Sequence, residues 1–182
     1  DLESASLISN AGPITTSLAM TTRGTGRIYA PLTGAPVVRA DQAGASLELL
    51  NDCDMTGGGS LSVTAANAVL ALGSGTITSG SIAGGPGRVV VNSFETPTLV
   101  AATTSGTLES LPGSRIFVSG DLANNATLRV NTGADASLTG LHFLNTSTIS
   151  GTGSIFLRAF SASELDSALL SAAPGATITN AL

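Results

Sequence analysis

The sequence predicts an all-β protein, a right-handed β-helix (solenoid) with an N-terminal cap region and a short C-terminal helix. Three observations lead there. The first is the stretch from Asp121 to Leu157, where the apolar pairs Leu128-x-Val130, Leu141-x-Phe143 and Ile155-x-Leu157 alternate with Asn-, Thr- and Gly-rich punctuation. Apolar residues two apart share one face of a pleated strand, and Gly and Asn supply positive-φ turn positions. The second is recurrence from Ala43 onward, with earlier strand centres at Leu47-x-Leu49, Leu61-x-Val63, Ile77, Val89-x-Val91, Leu99 and Ile116-x-Val118. Every second centre from Leu61 (Leu61, Val89, Ile116, Leu141) is separated by 28, 27 and 25 residues, which predicts coils of that length. The third is composition. Hydrophobic residues make up 42% of the chain but aromatics only 3%, so Ala, Val, Leu and Ile must fill the core, and these suit thin stacked layers. An antiparallel β-sandwich or jelly roll is the alternative, although it wants larger side chains to fill a layer about 10 Å thick.

In chain order, the 182 residues suffice for one domain with a sizeable core. Residues 1–42 read as a capping or docking segment, with strands near Leu2–Ile8, Thr15–Thr22 and Gly26–Pro31. Pro13, Pro31 and Pro36 confine these strands to edges, and a repeat array needs its open end closed. Residues 43–160 form the solenoid, turned by Thr56–Gly59, Gly73–Gly75, Gly84–Gly87, Pro112-Gly113, Asn124-Asn125 and Gly151–Gly153. Residues 161–182 carry the helix and a final strand. Ser163-Glu164-Leu165-Asp166 resembles a capping box, Leu165, Ala168, Leu169 and Ala172 share one helical face, and Pro174-Gly175 ends it. Such a helix would shield the last sheet edge, and Ala176–Thr179 returns as a strand. A chain starting at Asp1 without an initiator Met is expected of a processed mature chain or a fragment.

Charge excludes several function classes. Charged residues are 10% of the chain, against roughly 25% in average soluble domains, and the net charge is -5. All seven basic residues are arginine, scattered so that no basic patch is expected, which argues against a nucleic-acid partner. No apolar run approaches membrane-helix length, so no membrane span is expected. The single Cys53 cannot form an intrachain disulfide, and Asp52 and Asp54 beside it should raise its pKa and suppress the thiolate. The single His142 should face outward between inward Leu141 and Phe143, and no G-x-S-x-G elbow is present.

Two kinds of chemistry remain open at the acidic cluster Asp41, Glu48, Asp52 and Asp54. With Asn51, these carboxylates are candidate calcium ligands, although no D-x-D-x-D-G loop is present. Asp52 and Asp54, on one strand face, are also the candidate carboxylate pair for glycan cleavage, in a chain without Trp for sugar stacking. The bland reading of all four is a solvated acidic turn. Asn125-Ala126-Thr127 and Asn145-Thr146-Ser147 match the N-glycosylation pattern. The glycine corners precede no helix, so they cradle no phosphate, and neither a cofactor nor a catalytic residue is expected.

At Leu144-Asn145-Thr146-Ser147-Thr148-Ile149-Ser150-Gly151-Thr152-Gly153-Ser154-Ile155 the sequence resembles coils of bacterial autotransporter passenger domains. It is similar too to the β-solenoid parts of tailed-phage tailspikes, fibres and head-decorating proteins, over roughly Ala43 to Leu157. The resemblance is one of sequence style, and it carries no catalytic residue over. It implies a non-enzymatic structural protein on a virion surface, with trimeric assembly, and other virion or cell-surface proteins and surface glycans as partners. The alternatives are a bacterial cell-surface adhesin or passenger fragment, and a glycan-cleaving β-helix enzyme.

Overall fold

A computed structural model describes residues 2–8, 12–16, 21–133, 137–160, 166–171 and 173–181. The first strands are β1 (Leu2–Leu7), β2 (Ile14–Thr16), β3 (Thr21–Ile28), β4 (Leu32–Gly34), β5 (Val37–Ala40), β6 (Ser46–Leu49) and β7 (Cys53–Asp54). They are followed by β8 (Ser60–Val63), β9 (Val69–Leu72), β10 (Thr76–Thr78), β11 (Ser81–Ala83), β12 (Arg88–Val91), β13 (Thr98–Val100) and β14 (Thr103–Ser110). The last are β15 (Arg115–Ser119), β16 (Leu122–Val130), β17 (Gly140–Phe143), β18 (Ser147–Ser150), β19 (Ser154–Leu157), β20 (Ala168–Ser171) and β21 (Ile178–Ala181).

Every strand pairing is parallel, and each strand pairs with those one coil before and after it, so the chain is a β-solenoid and not a sandwich. Each coil has three faces. The first runs β5–β8–β11, the second β6–β9–β12, and the third β2–β4–β7–β10–β13–β15–β17–β20. The first two faces merge into one 13-stranded sheet because β3, β14 and β16 run straight through the corner between them. The segment expected as a cap, residues 1–42, contributes β1 to β5 to these same ladders.

Period-two alternation places the core. Inward residues stack in register along the axis, as in Leu47–Leu70–Val89–Leu108–Leu128–Ile155 on the second face. Cys53–Ile77–Leu99–Val118–Phe143 does the same on the third. All but the terminal Ile155 are buried, so each coil supplies a thin aliphatic layer, as the composition predicts.

The repeat is shorter and less regular than the sequence spacing suggests. Leu61 pairs with Ile82, whereas Val89 lies on another face. Side chains bonded across one coil step are 20 residues apart at Thr104–Asn124, 24 at Asp52–Thr76 and 27 at Asp121–Thr148. Where the corner is straightened the inward positions become polar: Thr104 and Asn124 are buried and bonded to each other at 2.8 Å.

The expected C-terminal helix is a correction. Among the described residues there is no helix, and Ala168–Ser171 is β20, paired with β17. Ser163, Glu164, Leu165 and Ala172 lie outside the described residues. A helix this short is marginal in water, whereas the open edge of β17 offers a full ladder and places Leu169 on the Leu141 column. The final strand is present as β21.

Candidate binding groove

The four acids picked out in the sequence fall at different places around the coil. Asp41 lies 3.7 Å from Arg23, and Glu48, on the outer second face, pairs with Arg27 of the preceding coil at 2.7 Å. Asp52 sits at the corner before the third face, where its Oδ1 accepts the Thr76 N–H of the next coil at 2.7 Å. Asp54 accepts the Thr56 N–H at 3.0 Å, and this backbone bond holds its carboxyl below the usual carboxylate range. Asn51 donates to the Tyr29 carbonyl. Among the described residues no three His, Cys, Asp or Glu side chains converge as a metal site requires.

Asp52 belongs to a wider pattern. At the corners the sheet ladder is interrupted, and a side-chain oxygen satisfies the exposed backbone N–H of a neighbouring coil. Asp121 accepts from Thr148 N and Asn125 from Thr152 N, whereas Asn145 accepts from Gly120 N. Both candidate glycosylation asparagines are thus coil-to-coil fasteners. Asn145 Nδ2 itself donates to Ser119 Oγ.

His142 faces outward between buried Leu141 and Phe143, as expected, and its ring packs tilted against Phe117 at 5.3 Å. Burial, and secondarily Arg115, holds its pKa below the ordinary value. Cys53 is buried, with a thiol pKa pushed up to about 12. The direction agrees with the sequence argument, but burial is the larger cause and Asp54 the second.

The concave feature with the richest chemistry lies elsewhere, on the outer second face. A groove of about 490 Å³ runs across β12, β14, β16 and β19, with Val90 and Leu111 in its lining. Strict register places Val90, Glu109, Arg129 and Phe156 in one outward column. Glu109 is buried although it faces outward, because guanidinium groups from neighbouring coils approach it on both sides. Arg88 Nη1 lies 3.3 Å from Oε2 and Arg129 Nη1 3.7 Å from Oε1. Burying a carboxylate is costly unless it is paired, and this clamp supplies the pairing. Arg158 completes the wall, its guanidinium 4.4 Å over the Phe160 ring, and the Phe156 ring is 56% exposed.

This grouping corrects the expectation that the arginines form no patch. Arg88, Arg129 and Arg158 are far apart in sequence but line one groove. The missing signal was the period: a 20-residue step aligns Glu109 with Arg129, whereas a step of 25 to 28 hides the column. Among the described residues, no helix is long and apolar enough to cross a membrane. Comparison with protein-family models, curated proteins and solved structures finds no match to this chain.

Proposed function

We propose that the protein is a non-enzymatic structural component of a surface assembly, working as a homo-oligomer with other surface proteins. A virion exterior is the favoured setting and a trimer the favoured state. The observation that carries this reading is the apolar layer at the C-terminal end of the coil stack. There Ile149, Ile155, Leu157, Leu169 and Ile178 line an open groove of about 310 Å³. Leu157 and Leu169 are 48% and 39% exposed, and β19, β20 and β21 each have a described partner on one side only. Exposed aliphatic surface beside open strand edges favours contact with another coil or chain.

The side faces support the same reading. They are fastened coil to coil by Ser, Thr and Asn side chains, which makes a stiff display surface. Glycan cleavage is less well supported. A general acid needs a raised carboxyl pKa, and Asp54 is held low while Asp52 is committed to the Thr76 N–H. The adhesin reading draws on the arginine-walled groove, and gene neighbourhood separates the two, with capsid and tail genes for a virion and secretion genes for an adhesin. The test of assembly is light-scattering mass across a concentration series, for the wild type and for an Ile155→Asp/Leu169→Asp variant. The expected result is an oligomer that the double substitution dissociates. A monomer at every concentration, without affinity for capsids or tails, overturns the reading.

A further inference from the structure

We infer that the groove over β12, β14, β16 and β19 is a binding site for an acidic polysaccharide, with Arg88, Arg129 and Arg158 meeting its carboxylates and Phe156 stacking on a sugar ring. The inference does not rest on the assembly reading, although the two surfaces meet at β19, which supplies Phe156 to the groove and Ile155 and Leu157 to the end of the stack.

Charge is the first argument. Three guanidinium groups face one carboxylate in a chain of net charge -5, so the groove is a local cationic island on an acidic protein. Each guanidinium has five donors in a fixed fork, and Glu109 engages only part of those of Arg88 and Arg129. The two side chains are half exposed, which leaves donors directed to the solvent side. Because Glu109 is buried between them, they are held in place before any ligand arrives, and less ordering cost falls on binding.

Shape and chemistry select the ligand class. From Val90 through Glu109 and Arg129 to Phe156 the column crosses three interstrand spacings, roughly 14 Å at 4.7–4.9 Å each. That is an elongated site suited to a chain molecule. Leu111 is partly exposed and presents C–H surface above buried Val90, and the open Phe156 ring offers an apolar platform for a pyranose face. An extended acidic peptide would gain affinity by pairing with the open edge of β19 at the rim of the groove, whereas over β12, β14 and β16 the backbone groups are committed to ladders and only side chains meet a ligand.

The experiment is calorimetric titration of the full chain with an oligogalacturonate, beside a neutral maltooligosaccharide of equal length and poly-glutamate. The expected result is saturable binding of the uronate alone, weakening as salt is raised. Arg88→Gln and Arg129→Gln should each weaken it roughly tenfold or more, the loss of one charged hydrogen bond, and Phe156→Ala several-fold. In the wild type, backbone chemical-shift changes on titration should cluster at Arg88, Glu109, Arg129, Phe156 and Arg158, a readout that does not depend on variant folding. Absence of uronate binding, equal binding of the neutral sugar or of poly-glutamate, or shifts located elsewhere overturns the inference.

Discussion

Replacing Leu70 by Ala probes the stacked core at its middle. Leu70 has no exposed surface and lies in register between Leu47 and Val89, both equally buried. Removing three carbons forfeits about 2.4 kcal/mol of transfer free energy at about 0.8 per methylene. A cavity term is added, because β9 is hydrogen-bonded on both sides and the coils cannot close over the gap. The expected cost is about 4 kcal/mol, in the upper half of measured Leu→Ala losses. At the end of the same column Ile155 is only partly buried, so Ile155→Ala should cost about 1 kcal/mol. Guanidinium unfolding measures both, with the slope m checked for unchanged cooperativity. Coupling adds a sharper criterion. Leu47→Ala and Leu70→Ala are neighbours and should be non-additive by more than about 0.5 kcal/mol. Leu70→Ala and Leu128→Ala, three rungs and roughly 14 Å apart, should add within about 0.5 kcal/mol. Equal costs at Leu70 and Ile155, or coupling between Leu70 and Leu128 as strong as between Leu70 and Leu47, would refute the stacked-column account.

The remaining predictions concern a corner and a titrating group. Gly106 has φ +73°, and a Cβ there would lie 2.6 Å from Gly85 N, so Gly106→Ala should cost at least about 2 kcal/mol from left-handed strain plus steric conflict. An unchanged melting temperature would show that the straightened corner is not this tight. The His142 pKa is lowered in the folded state, so the unfolded chain takes up the proton first as pH falls. Stability is therefore complete above the unfolded value of about 6.5 and is lost as pH drops through the lowered folded value. His142→Gln should flatten that part of the pH profile in denaturant titrations; an identical profile in the variant would remove His142 as its cause.

Strand existence and inward direction were legible because most marked centres are apolar pairs in alternation, with Ile77 and Leu99 single. Leu47, Leu61, Ile77, Val89, Leu99, Ile116, Leu128 and Leu141 all face the core. Most of the intervening strands were not legible, because their inward residues are single or polar: Ile82 in a three-residue strand, Thr104 and Asn124 at the straightened corner, Ile149 among hydroxyl residues; β9 was missed although Leu70-x-Leu72 is an aliphatic pair like those marked. Missing them doubled the apparent strand step and hid the true register, and with it the Glu109–Arg129 column. The terminal helix was misread because Leu165, Ala168 and Leu169 fit a helical face, while the competing ladder with β17 is invisible in local sequence. The acids of residues 41–54 were legible as surface groups, and the Asp54 bond to Thr56 N is local, but the engagement of Asp52 with Thr76 N and of Glu48 with Arg27 depends on coil stacking.

The register that builds both the core and the groove is tested most directly by pulsed spin-label distances along the second face. Cysteines at Ser46, Thr127 and Ser154 can be labelled selectively, because Cys53 is buried with its thiol pKa near 12. Five pairing steps link Leu47 to Ile155 through Leu70, Val89, Leu108 and Leu128, which sets the Ser46–Ser154 backbone separation at roughly 24 Å. The account predicts narrow distributions, with Ser46–Ser154 longer than Ser46–Thr127 by one interstrand spacing of about 4.8 Å. Distances in the opposite order, or separations that do not step by this spacing, would contradict it.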